Sequence, residues 1–288
     1  MNSQENLQTS LSTWASTSIS GRVGHLLSAL ESGITVSLIA TFDLKTCAAS
    51  DKVADVLNRQ DLKPFDYIPV MEMDSQSVVG VLVKHECKEK SDVVQEVMEK
   101  LHESILISAD ASLLAFVAEA DKTPFCLVLQ GRKITGLVTL SDLQKLAVRP
   151  MLFSLITCVE LLLAEWLRQR YPNDQDWLEK LSEGRREKVD EKWQKLQHRN
   201  MAIDRITTTD FCDKRDAALK LDAFPDNKNN KKLRERQLKD IEKLRDTVAH
   251  AGDYALTPEN ARKVAQTVRE ALEIITFLEK SLTVQIAS

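Results

Sequence analysis

The chain has 288 residues, of which 43% are hydrophobic and 28% charged, with a formal net charge of −4. That length suits two domains of ordinary size, and the composition excludes a disordered chain. The acidic balance argues against whole-surface nucleic-acid binding, so no DNA partner is expected and any anionic polymer would need a local patch.

Five cysteines (Cys47, Cys87, Cys126, Cys158, Cys212) and five histidines (His25, His85, His102, His198, His250) are scattered, with no CxxC pair and no ligand constellation. The expectation is reduced thiols in a cytoplasmic protein and no metal. Met1–Ser20 is rich in Ser and Thr and lacks a signal-peptide pattern, so residues 1–20 read as a flexible tail. The longest apolar run, Met151–Leu163, contains Glu160 and falls short of the roughly 20 residues a bilayer needs, so no membrane partner is expected.

Residues 21–148 alternate short strand-like and helix-like runs. Strands at Pro69–Val70 and Ser77–Val83 flank a polar loop, and strands at Phe125–Leu129 and Ile134–Leu140 flank a tight turn at Gly131–Arg132. Helical stretches at Asp51–Arg59 and Ser112–Ala120 sit at matching offsets, and Gly80 and Gly136 lie 56 residues apart. Such a spacing indicates one supersecondary unit used twice. The second copy closes on Gly136–Leu137–Val138–Thr139–Leu140–Ser141–Asp142–Leu143. A serine and an aspartate between a strand and a helical run also form an ordinary helix cap.

That octapeptide resembles the Gly-φ-φ-Thr-x-x-Asp-φ signature that closes a CBS repeat. The resemblance implies a pair of βαββα repeats holding an adenosyl nucleotide (AMP, ATP or S-adenosylmethionine) between them. Thr139 would meet a phosphate and Asp142 the ribose hydroxyls. In the first copy Val83 and Glu86 replace that threonine and aspartate, which leaves repeat two as the candidate site.

From about residue 149 to 288 the pattern is helical. The first helix, from Pro150 to about Arg170, is apolar nearly all round, which suggests a bundle core plus a subunit interface and hence a homodimer. A second, highly charged helix starts at Asp174, with Gly184 as a possible kink or break. A weaker one starts near Thr209, a polar loop spans Pro225–Asn230, and a fourth helix runs from about Lys231 to His250. Its apolar Leu238, Ile241, Leu244 and Val248 form one stripe, and Gly252 supplies a stop. Thr257–Pro258–Glu259 opens the last helix. The fold class is therefore α+β: paired repeats followed by an all-α bundle of four to five helices.

The end of the fourth helix carries Arg245, Asp246 and His250. On an ideal helix Asp246 and His250 share a face, while Arg245 points roughly 140° away from His250. The five-helix pattern with Arg-polar-x-x-x-His resembles the HEPN family, whose Arg-x(4–6)-His motif cleaves RNA without a metal, so no cofactor is required for catalysis. That resemblance implies a homodimeric endoribonuclease, with toxin or phage defence as an extension. His250 would be the acid or base and Arg245 the cation on phosphate, while Asp246 would orient His250 or interact with Arg245. Lys231, Lys232, Arg234, Arg236 and Lys239 would supply a weak RNA-binding strip. The plain alternatives are a solvated charged face and a helix C-terminal cap. The competing reading of the whole chain is a non-catalytic, nucleotide-sensing dimer whose helical domain is an interaction scaffold.

Overall fold

The computed structural model describes residues 19–87, 93–198, 204–224, 228–250 and 252–283. All but the last two residues of the expected N-terminal tail, and the first three of the Pro225–Asn230 loop, lie outside those ranges. The chain divides into two compact units. One holds Glu31–Val148 and Ala255–Ala265; the other holds the segment ending at Leu30, Arg149–Tyr254 and the segment from Gln266. Compared with a single cut after residue 148, residues 19–30 and Ala255–Ala265 exchange sides.

The first unit is built twice over from one plan. In repeat one, β1 (Cys47–Ala48), α2 (Val53–Asn58), β2 (Tyr67–Glu72) and β3 (Ser77–Val83) follow α1 (Ile19–Gly33). In repeat two, β5 (Leu106–Ser108), α4 (Leu113–Glu119), β6 (Phe125–Gln130) and β7 (Lys133–Thr139) follow α3 (Val94–Val97) and β4 (Glu99–Lys100). In each, the first strand pairs parallel to the second and the second antiparallel to the third. Both hairpins carry a register shift at the matching place, Val70/Met71 and Val128/Leu129. The hairpin turns use Gln76 and Gly131 at positive φ, as tight reversals between twisted strands require.

The two repeats are laced together by exchange. β4, which precedes repeat two, pairs with β3 of repeat one through Val81↔Glu99. Thr41, which precedes repeat one, bridges Leu137 of repeat two. Gly80 and Gly136 mark these crossings. A Cβ on Gly80 would stand 2.5 Å from the Glu99 carbonyl oxygen, and one on Gly136 3.2 Å from that of Thr41. The strands bury Val, Ile and Leu in two clusters, one around Ile68, Val70 and Leu82 and the other around Val81, Leu127 and Phe125.

The second unit is helical: α5 (Val148–Arg170), α6 (Asp174–Leu178), α7 (Glu183–Gln197), α8 (Phe211–Lys220), α9 (Lys228–Ala249) and the part of α10 (Pro258–Thr283) from Gln266. The expected second helix is two: α6 ends at Leu178 and α7 starts at Glu183, so the chain breaks before Gly184, which lies inside α7. α8 opens on a reciprocal cap between Asp210 and Asp213. Leu155, Val159 and Leu162 of α5, Phe211 of α8, Leu238 and Ile241 of α9 and Ile275 of α10 are buried.

α5 is 23 residues long and apolar enough to cross a membrane by length and composition, so the shorter Met151–Leu163 run understated it. Its apolarity has a local cause, since 61% of its most apolar window is buried inside the protein. It is not covered all round: Phe153 and Leu161 are exposed. All five cysteines are free, and burial pushes Cys47 up to about 12 and Cys126 and Cys158 to about 11, which holds them as thiols at neutral pH.

Candidate functional site

β7 ends at Thr139, which caps the short 3-10 helix Leu140–Gln144. Asp142 Oδ2 accepts hydrogen bonds from the Thr139 backbone N–H at 2.6 Å and from Thr139 Oγ1 at 3.1 Å. Its other oxygen lies 2.7 Å from Lys145 Nζ, which also donates to the Thr41 hydroxyl at 3.2 Å. Asp142 is 8% exposed, so a carboxylate at this depth needs these partners. The cap reading of Asp142 is thus realised in the geometry. A carboxylate has about four acceptor positions, so three are used and one stays open.

These residues edge a cavity of about 210 Å³. Thr41, Leu137, Thr139, Ser141 and Asp142 form one side, and Pro64–Phe65–Asp66–Tyr67 of repeat one the other. A second cavity, of about 280 Å³, has the same plan with the repeats exchanged: Val83, His85 and Glu86 face Lys122–Thr123–Pro124–Phe125. Strand register makes the two correspond, since Tyr67 pairs with Val83 and Phe125 with Thr139. Thr41, Tyr67, Thr139, Ser141 and Asp142 around the first cavity answer to Glu99, Phe125, Val83, His85 and Glu86 around the second. Tyr67 and Phe125 pack with ring centroids 4.6 Å apart, and Tyr67 borders both cavities.

The two cavities differ in chemistry. The first offers hydroxyls, carboxylates and aromatic rings, a set that suits a ribose and a base. The second offers titratable groups: His102 Nε2 lies 2.8 Å from Glu99 Oε1, and its Nδ1 2.8 Å from Ser104 Oγ. Burial pushes the Tyr67 phenol up and Asp66 adds to the rise, opposed by Arg262, so the ring stays neutral at physiological pH.

In the helical unit, Arg245 Nη1 lies 3.8 Å from Glu160 Oε2, Nη2 lies 3.2 Å from Asp246 Oδ1, and the guanidinium sits 5.9 Å from the centre of the Phe211 ring. Glu160 in turn holds Lys214 Nζ at 2.9 Å. Asp246 therefore turns to its neighbour Arg245 rather than to His250. His250 is exposed just past α9, with its backbone N–H on the Asp246 carbonyl oxygen at 3.1 Å. Among the described residues no side-chain hydrogen bond joins His250 to Arg245 or Asp246. Arg149 secures this end of α9, donating to the carbonyl oxygens of Val248 at 3.2 Å and Gly252 at 3.1 Å.

The expected basic strip is largely compensated. Lys231 pairs with Asp222 at 2.7 Å, Lys239 with Glu235 at 2.6 Å and Arg236 with Glu270 at 3.4 Å. Arg234 lies 3.8 Å from Glu273 and is half-buried over the Phe224 and Phe277 rings, while Lys232 is exposed. Among the described residues no group of three or more His, Cys, Asp or Glu is placed to hold a metal ion.

No protein-family model matches the chain, and no curated protein matches it. Solved structures similar to part of it include CBS domains. One is the CBS domain of the bacterial CNNM/CorC family Mg2+ transporter in complex with ATP, 18% identical, covering 44% of this chain and 94% of that chain at a TM-score of 0.36. A second is the CBS domains of a transcriptional regulator from Streptococcus pneumoniae, 22% identical over 36% of this chain and 92% of that one, at 0.31. A third is a CBS domain protein of unknown function from Thermoplasma acidophilum, 21% identical over 42% and 75%, at 0.33.

The aromatic wall Phe65–Tyr67 was missing from the candidate residues read from sequence. The repeat offset held the signal, because it sets Tyr67 against Phe125, but only strand pairing shows that each cavity borrows its wall from the other repeat.

Proposed function

We propose that residues 21–148 are a CBS-type regulatory pair that binds an adenosyl nucleotide at Thr139 and Asp142. In this reading the chain is a non-catalytic sensor, active as a homodimer, with residues 149–288 as its interaction scaffold. The supporting observation is that the Thr139–Asp142 turn edges a cavity whose opposite wall, Phe65–Tyr67, comes from the other repeat. A ligand there touches both repeats at once, so it favours whichever arrangement of the repeats fits it best. Calorimetry with AMP, ATP and S-adenosylmethionine tests the reading. Binding by the wild type that is lost in a folded Asp142→Ala variant supports it, and unchanged binding in that variant sinks the site assignment.

A second reading, metal-independent RNA cleavage at Arg245 and His250, rests on the exposed imidazole lying within a turn and a half of Arg245. An imidazole titrates near neutral pH and a guanidinium carries two parallel donors for phosphate. Against it stands the engagement of Arg245 by Glu160 and Asp246. Cleavage of a tRNA and mRNA pool in EDTA that disappears in His250→Ala would favour the enzyme; no cleavage with any nucleotide present leaves the scaffold.

A further inference from the structure

The charges around the first cavity say which adenosyl compound suits it. Among the described residues its lining contains no Lys, Arg or His, but two carboxylates, Asp66 and Asp142. Lys145, which is not among the lining residues, pairs with Asp142 at 2.7 Å, which leaves the exposed Asp66 as the lining carboxylate with no ion pair among the described residues. The basic charge felt at the Tyr67 hydroxyl comes from Arg262, which does not line the cavity. Thr139 spends its hydroxyl proton on the Asp142 carboxylate and one lone pair on the Asp142 backbone N–H, so towards the cavity it offers a single acceptor position rather than a donor for phosphate. Phe65 and Tyr67 add two aromatic rings to the lining, and aromatic rings attract cations rather than anions.

A polyphosphate entering here would meet a carboxylate and aromatic rings, with no cation among the described lining residues to offset its charge. A sulfonium would meet a complementary field. Resting on the reading of this cavity as an adenosyl site, we infer that it selects a cationic adenosyl sulfonium over an adenosyl polyphosphate. Asp66 sets the preference through charge, and Phe65 and Tyr67 through their rings.

The test is a calorimetric series on the full chain with S-adenosylmethionine, S-adenosylhomocysteine, adenosine and ATP. S-adenosylhomocysteine is the same molecule without the methyl group and sulfonium charge. The expected order places S-adenosylmethionine about tenfold tighter than S-adenosylhomocysteine, with ATP weakest. In Asp66→Asn, an exposed position whose variant is checked by its melting curve, the advantage of the sulfonium shrinks and ATP binding rises. ATP binding as tightly as S-adenosylmethionine, or equal binding of the sulfonium and its thioether, overturns the inference and leaves the adenosyl site standing. Failure of all four compounds to bind removes the adenosyl site and the inference with it.

Discussion

Asp142 holds Thr139 twice through a single oxygen, at the backbone N–H and at the hydroxyl. The pair closes the end of β7, and it sets the hydrogen-bonding character of the cavity above it. Under the proposed function, structure and ligand recognition meet in one carboxylate, and its removal has two separable consequences. Asp142→Ala loses a cap, which costs about 1 kcal/mol of stability by urea unfolding. Asp142→Asn keeps the shape but turns one acceptor into a donor facing the Thr139 N–H or Lys145. Both variants lose adenosyl binding if the open position on Asp142 takes a ribose hydroxyl. Wild-type affinity in a folded Asp142→Asn would show that the carboxylate serves the cap alone.

The repeats cross each other where a side chain has no room. Gly80→Ala forces a Cβ to within 2.5 Å of a backbone oxygen of β4, so the strand must shift. The expected loss is about 2 kcal/mol, typical of overpacking. Gly184→Ala is the control: apart from its chain neighbours and its own helix backbone, no heavy atom lies within 4 Å of the added Cβ, and the substitution stabilises by about 0.5–1 kcal/mol. Urea unfolding of both separates crowding at the crossing from loss of glycine as such.

The helical unit carries an acid-sensitive cap. Burial raises the Asp210 carboxyl, but hydrogen bonds from Arg185 and Lys192 outweigh it and hold the group at about 2, below its ordinary 3.8. A depressed carboxylate contributes stability above its unfolded value, and that contribution is lost as the pH falls from about 4 to about 2. Asp210→Asn is accordingly less stable than wild type at neutral pH, and its stability falls less steeply over that acid range. A wild-type slope in the variant would assign acid unfolding to other carboxylates.

Arg149 fixes the turn that bears His250. Arg149→Ala frees two carbonyl oxygens, so the amides of His250 and Gly252, which donate to Asp246 and Thr247, exchange about tenfold faster or more. Arg149→Lys does not restore protection, because an ammonium lacks the forked geometry that reaches both oxygens. Unchanged exchange in Arg149→Ala would mean that α9 ends as it does without the clamp.

Much of the β-rich unit was legible in the sequence because its signals are local. Gly80 and Gly136 announced the repeat, Gly131 its turn, and Ser112 the start of α4, where its hydroxyl accepts from the Ala115 N–H at 3.2 Å. The Thr139–Asp142 turn was legible too, as both a motif and a cap. Partners distant in sequence were not. A helical wheel pairs Asp246 with His250, yet the guanidinium next door is closer and already charged. Glu160 on α5 reaches Arg245 from 85 residues away, which no periodicity reveals. The basic strip failed as an estimate of free charge for the same reason: Asp222, Glu270 and Glu273 come from other segments of the fold. The break falls between Leu178 and Glu183, ahead of Gly184, which α7 accommodates in its first turn.

The most direct measurement of the central claim is a crystal structure of the full chain grown with S-adenosylmethionine. The account predicts an adenosyl group between Tyr67 and Thr139, with a ribose hydroxyl within hydrogen-bond distance of the free position on Asp142. An adenosyl group bound elsewhere, or that cavity empty at a saturating concentration, would contradict it.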